Sequence, residues 1–142
     1  MNIEDLSCKI GCQDALVALC SALDAGDNDA AADLFTDDGV LILPTGEKRG
    51  AEVRAALNAR SSTITTCHIM TNVLVTPRSA TEASAAATIT VYRVQTEGNA
   101  SASLTLPETP QAIGEWGIDL RLTPDGWRIS RYTAAERMAP AK

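Results

Sequence analysis

Apolar positions recur at Cys12, Leu16, Leu19, Cys20 and Leu23 within "CQDALVALCSALDA" (residues 12–25), a spacing that lays one stripe along an α-helix. Gly26 follows as a stop, and "DND" at 27–29 supplies an N-cap for a second short helix through "AAADLF". "GVLILP" (39–44) is a strand ended by Pro44. After "TGEKRG", a third helix over about 50–60 places Val53 and Leu57 toward the core. Beyond it the period falls to two. "TITTCHIMTNVLVT", a turn at "PRSATE" and "ASAAATITVYRV" predict two long paired strands. "IGEWGIDLRL", "TPDG" and "WRISRYT" then predict a strand, a turn and a strand.

Helices first and a meander afterwards define an α+β fold, three helices on one face of a strongly curved antiparallel sheet that begins after Val40. The 142 residues fit one domain, 1–142, and no internal repeat or linker interrupts them. The polar segment 95–112, "QTEGNASASLTLPETPQA", is longer than an ordinary hairpin connection, and such loops are often functional or mobile.

Composition narrows the classes. Hydrophobic residues make up 45 % of the chain, enough for a true core. The net charge is −6 and the basic residues are scattered, with no run that could track a phosphate backbone, so nucleic acid is not an expected partner. No stretch reads as a membrane span and "MNIEDLSCKIG" does not read as a secretion signal, so the expected location is the cytoplasm. Of the four cysteines, Cys8 and Cys12 are followed by no second pair at zinc-finger spacing; buried free thiols fit a reducing compartment.

The chemistry centres on the one histidine, His68. Alternation puts Thr66, His68, Met70, Asn72 and Leu74 on one face of its strand, and Cys67, Ile69, Thr71 and Val73 on the other. Neither face carries Lys or Glu, so both are expected to be covered. A lone histidine on an apolar strand is either a hydrogen-bonded core residue or a working base. Asn72 would hydrogen-bond a substrate or satisfy a neighbouring backbone, and Met70, between it and His68, is a candidate substrate contact. Asp24 borders the apolar stripe of the first helix. An aspartate in a last helical turn opposes the macrodipole, which costs about 0.3–1 kcal/mol unless a group such as an imidazolium compensates. Arg121 and Asp119 share a strand face, as a surface pair or, for Arg121, a substrate contact; Arg131 has the same two readings. Trp116 and Tyr92 are candidate pocket walls as well as candidate core or dimer contacts. Cys67 points away from His68, no nucleophile elbow is present, and one histidine without clustered acids is a poor metal-ligand set, so neither a metal nor another cofactor is expected.

Four pieces, "LDAGDNDAAADLFTDDGVLI", "RGAEVRAAL", "CHIMTNVLV" and "DGWRISRYT", in this order and spacing, resemble the nuclear transport factor 2-like superfamily and, within it, the SnoaL-like and scytalone dehydratase-like branch. The resemblance covers roughly residues 8 to 137. It implies a cone-shaped sheet wrapped around one long helix, with a pocket between them. It also implies a histidine that takes a proton from substrate carbon and an aspartate on the first helix that orients it; the matching positions are His68 and Asp24. The chain departs from the branch in its aromatics: where many relatives carry several pocket tyrosines, it has only Tyr92 and Tyr132.

The expected function is that of a small cofactor-free lyase or isomerase acting on a small, mostly apolar molecule. The reaction would be β-elimination or a proton shift beside a carbonyl. The alternative is a non-catalytic binding or dimerisation module on the same fold, with His68 packed in the core. The uncharged Cys67–Ile69–Thr71–Val73 face and the Ala-rich strand at 83–87 predict a homodimer made sheet to sheet.

Overall fold

Asn2 opens the first helix. Its side chain accepts the backbone N–H of Asp5 at 2.8 Å, and Glu4 and Asp5 place negative charge on the first turn, where the helix dipole favours it. In the computed structural model, which describes residues 1–96 and 103–142, α1 therefore runs Ile3–Ala25, well before the Cys12 start that periodicity suggested. Gly26, at φ 70°, ends it in a Schellman arrangement: Gly26 N–H donates to Leu23 O and Asp27 N–H to Ala22 O. By length and composition α1 is long and apolar enough to cross a membrane, contrary to the sequence expectation. Here its stripe from Cys8 to Ala22 is buried in the core instead.

Gly11 lies within α1, one residue ahead of the stripe that periodicity picked out. A Cβ there would stand 2.5 Å from Cδ1 of the Trp127 ring, so the indole packs directly on the helix backbone. Gly11→Ala gains up to about 1 kcal/mol of helix propensity but overpacks a rigid ring, at about 1–3 kcal/mol. A lower urea midpoint is expected; a higher one would show that Trp127 is free to yield.

Asp27 caps α2 (Asn28–Asp33) through the Ala30 N–H, as its sequence suggested. Then follow β1 (Phe35–Leu43), β2 (Gly46–Arg49), α3 (Ala51–Asn58), β3 (Ile64–Pro77), β4 (Glu82–Gln95), β5 (Ala112–Thr123) and β6 (Gly126–Met138). Val53 and Leu57 of α3 are buried as expected. β1 begins at Phe35, ahead of Val40, and β2 pairs back on it (Val40 opposite Arg49) where a plain connection was expected. Four residues, three of them charged, leave no alternation to read. Of the 95–112 segment, residues 103–111 form no helix or strand, and 97–102 lie outside the described residues.

The strands form one curved, unclosed sheet in the order β2-β1-β6-β5-β4-β3. The sheet is mixed: β1 and β6 run parallel, and every other pair is antiparallel, as the meander predicted. α1 packs across β3, β4 and β6. Leu16, Leu19, Ile118, Leu120 and Ile129 are fully buried between helix and sheet, each stabilising the fold by roughly 1.5–3 kcal/mol relative to exposure.

Two bulges alter which residues face that core. On β3 the register shifts between Thr71 and Leu74, with Asn72 in the left-handed region at φ 53°. After it, Val73 and Val75 turn inward, while Asn72 and Leu74 are exposed. The expectation that Asn72 looks the same way as His68 is thus corrected, because the bulge inverts the alternation. On β6 the register shift between Asp119 and Leu120 of the partner strand leaves Ser130 unpaired. Trp127 and Ile129 face in before it, and Tyr132 after it.

Candidate active site

The last turn of α1 carries Asp24 to the inward face of β3. There the carboxylate meets three donors. Oδ1 accepts the Thr66 hydroxyl at 3.0 Å and Nδ1 of the His68 ring at 2.5 Å, and Oδ2 accepts the backbone N–H of His68 at 2.9 Å. A negative charge that opposes the dipole at a helix C-terminus is compensated by these donors. The two side chains are mostly shielded, 13 % exposed for His68 and 26 % for Asp24.

Because the ionised carboxylate can only accept, the Nδ1 proton of a neutral His68 lies on the Asp24 side and Nε2 carries the lone pair. His68 lines a cavity of about 250 Å³, walled by Leu19, Leu23, Phe35, Leu41 and Leu57, with Arg60 and Tyr132 as the other polar groups. Burial pushes the Tyr132 phenol well above its ordinary value, Cys20 adding in the same direction and Arg60 opposing. The phenol therefore stays protonated, a neutral hydrogen-bond donor. Burial also raises the Cys20 thiol to about 11, with Asp24 reinforcing it, so this cysteine is no nucleophile at neutral pH. Cys12 is pushed up to about 12 by burial and then by neighbouring Cys8. All four cysteines are free, three buried and Cys67 exposed.

The remaining candidates separate. Met70 faces inward beside His68 and packs against the core, without lining the cavity. Trp116 is buried behind the site, its ring centroid 6.0 Å from that of His68 and 5.3 Å from that of Tyr132, so it holds both rings. Tyr92 pairs with Cys67 across β3 and β4, on the sheet face opposite to His68, and is no pocket wall. Asn72 lies at the exposed bulge. Arg121 bonds Asp38 at 3.1 Å in a separate, polar cleft and takes no part in the His68 cavity. Asp119 is opposite Arg131 across β5 and β6, and both are exposed.

Arg60 and Tyr132 were not singled out from the sequence. Straight alternation from Trp127 and Ile129 would turn Arg131 inward; only the extra residue at Ser130 substitutes Tyr132. Arg60 stands just past α3 with no periodic signal. Among the described residues no three His, Cys, Asp or Glu side chains converge to hold a metal ion.

A curved, unclosed sheet packed over one long helix, with a histidine tied to Asp24 on the wall of an apolar cavity, defines a class of small α+β proteins with a pocket between helix and sheet. The chain belongs to the SnoaL-like family of the nuclear transport factor 2-like superfamily: the family model, described as SnoaL-like domain, matches residues 6–133. No curated protein sequence matches the chain. Among solved structures it is similar to a candidate scytalone dehydratase from Novosphingobium aromaticivorans (17 % identity, TM-score 0.83, 99 % of this chain and 91 % of that one). A hexachlorocyclohexane dehydrochlorinase (LinA) type 2 matches at 15 % identity and TM-score 0.79, over 99 % and 92 %. A candidate aromatic ring hydroxylase from N. aromaticivorans reaches 26 % identity and TM-score 0.74, over 94 % and 91 %.

Proposed function

We propose that this protein is a cofactor-free lyase or isomerase that removes a proton from carbon beside a carbonyl group of a small, mostly apolar molecule. The observation that carries the reading is the His68 ring, tied through Nδ1 to Asp24 and lining the cavity. Imidazole changes charge near neutral pH, so it can take a proton and return it without a large penalty. The Asp24 carboxylate keeps the tautomer with a free Nε2 and stabilises the imidazolium as it forms. The cavity is at the small end of ligand sites and is walled by leucines, which suits a substrate of one or two rings. The similarity to a dehydratase and a dehydrochlorinase supports the same chemistry. The test is hydrogen–deuterium exchange at the α-carbon of small ketones such as 1-indanone and 2-tetralone, followed by NMR in D₂O. Equal exchange by the wild type and His68→Gln would decide against the base.

The assembly proposed is a homodimer. The outward face of β3 and β4 presents Cys67, Ile69, Thr71, Thr88, Thr90 and Tyr92 without a charge among them, and Ile69 is 45 % exposed. Sedimentation at micromolar concentration is expected to give twice the 15.0 kDa chain mass. Ile69→Lys, which puts a charge into that face, is expected to return the monomer; a wild-type chain that sediments only as monomer excludes the dimer.

A further inference from the structure

We infer that Arg60 is the electrophilic residue of this site: its guanidinium receives the negative charge that forms on the substrate's carbonyl oxygen when His68 removes the neighbouring proton. This rests on the proton-abstraction reading and adds the group that accepts the charge.

Arg60 lines the cavity together with His68 and Tyr132. It is held from behind. Its Nη1 donates to the backbone carbonyl of Leu23 and to Oδ1 of Asn28, both at 3.2 Å. Leu23 directly precedes Asp24, so the cation and the partner of the base hang from one turn of α1. Among the described residues no carboxylate comes within ion-pair distance of Arg60, and Nε and Nη2 make no hydrogen bond. Its two acceptors are neutral. Burial disfavours its charged form, as does nearby Arg93, while Asp24 and Tyr132 oppose them. Asp24 is already occupied by three donors. The result is a partly desolvated, preorganised cation with donors to spare, the arrangement that is most effective where negative charge develops during a reaction.

Charge balance points the same way. At rest the site holds Asp24⁻ and Arg60⁺. During the reaction the C–H bond breaks and its proton moves to Nε2 of His68. The electron pair forms a C=C bond, and the carbonyl π pair moves onto oxygen. One positive and one negative charge appear together, so the site stays neutral, and each new charge has an opposite partner already fixed in place: imidazolium on Asp24, oxyanion on Arg60. Unpaired charge in an apolar cavity is thereby avoided. The pair then returns either to bond a proton at another carbon or to expel a group from the β-carbon. Tyr132, neutral and protonated, can add a second hydrogen bond but no charge.

The probe is 4-nitrophenol, whose anion resembles an enolate oxygen on a ring and absorbs apart from the neutral form. Its uncharged isostere, 4-nitrotoluene, reports whether the cavity is intact. At a pH where free 4-nitrophenol is mostly neutral, the wild type is expected to bind it as the anion. Arg60→Met should weaken anion binding by roughly 10- to 100-fold while 4-nitrotoluene affinity changes by no more than about twofold, and Arg60→Lys should retain part of the preference. Binding of 4-nitrophenol by the wild type only in its neutral form would overturn the inference. So would equal loss of both ligands in Arg60→Met, which would reduce Arg60 to an anchor of the α1–α2 corner. The two readings fail differently. Absence of anion selectivity in the wild type removes Arg60 and leaves the base standing. Equal indanone exchange by the wild type and His68→Gln removes the base, and with it the role given to Arg60, even where nitrophenolate binding still follows Arg60.

Discussion

His68→Gln is expected to lower α-carbon exchange by about 10²–10⁴-fold, or about 3–5 kcal/mol of transition-state stabilisation, with the fold intact. Glutamine fills similar space, and its amide N–H can still reach the Asp24 carboxylate, so the corner between α1 and β3 remains tied. What it lacks is a basic nitrogen. The backbone N–H of His68, which donates to Asp24 Oδ2, is untouched by the substitution. A thermal melt close to that of the wild type, alongside lost exchange, is the expected pair of results. A loss of only a few fold would show that His68 is a packed residue and that the cavity is a binding pocket.

Asp24→Asn is also expected to lose activity, about 10²-fold or more, for a reason that follows from counting donors. The aspartate presents two acceptor oxygens to three donors. An amide has one oxygen and one NH₂. If the NH₂ takes the place of Oδ1, it faces Nδ1 of His68 and draws the imidazole into the tautomer that is protonated on Nε2. The nitrogen on the cavity side is then no longer a base. If the NH₂ takes the place of Oδ2, it faces the backbone N–H of His68, and two shielded donors meet at a cost of roughly 1–3 kcal/mol. The first outcome leaves stability near that of the wild type and abolishes exchange; the second keeps the tautomer, lowers the denaturation midpoint and slows exchange through the lost charge that stabilises the imidazolium. Nitrogen chemical shifts of the His68 ring distinguish the tautomers. A variant with wild-type exchange and an unchanged tautomer would show that Asp24 does not orient the base.

The pair itself was legible only through a resemblance, since Asp24 and His68 stand 44 residues apart and no local pattern links them. Much else was present in short windows of sequence. The Leu16–Leu19–Leu23 stripe, the Asp27 cap of α2, the inward Val53 and Leu57, and the order of helices before a meander are local properties. They follow from side-chain spacing, cap chemistry and a few adjacent residues. The start of α1, with its Asn2 cap and acidic first turn, is local as well, although periodicity began the helix at Cys12; the glycine at position 11 answers instead to Trp127, from the far end of the chain.

Tertiary structure alone decided the parallel pairing of β1 with β6, the outward turn of Asn72, the inward turn of Tyr132 and the arrival of Arg60 beside His68. The physical reason is parity. A strand read by alternation assigns every residue to a face from the one before it, so a single unpaired residue inverts all assignments that follow. Whether a strand takes in such a residue depends on the partner that pairs with it. At Asn72 that partner is β4, and at Ser130 it is β5. Thr66 and His68 precede the first bulge and keep the face that alternation gave them; Asn72 and Tyr132 lie at or beyond a bulge and do not. Arg60 is outside any periodic element and reaches the cavity only because α1 and α2 supply Leu23 O and Asn28 Oδ1 to hold it. The chain thus specified locally where most of its helices and strands lie, and contacts between distant segments chose which side chains share the cavity.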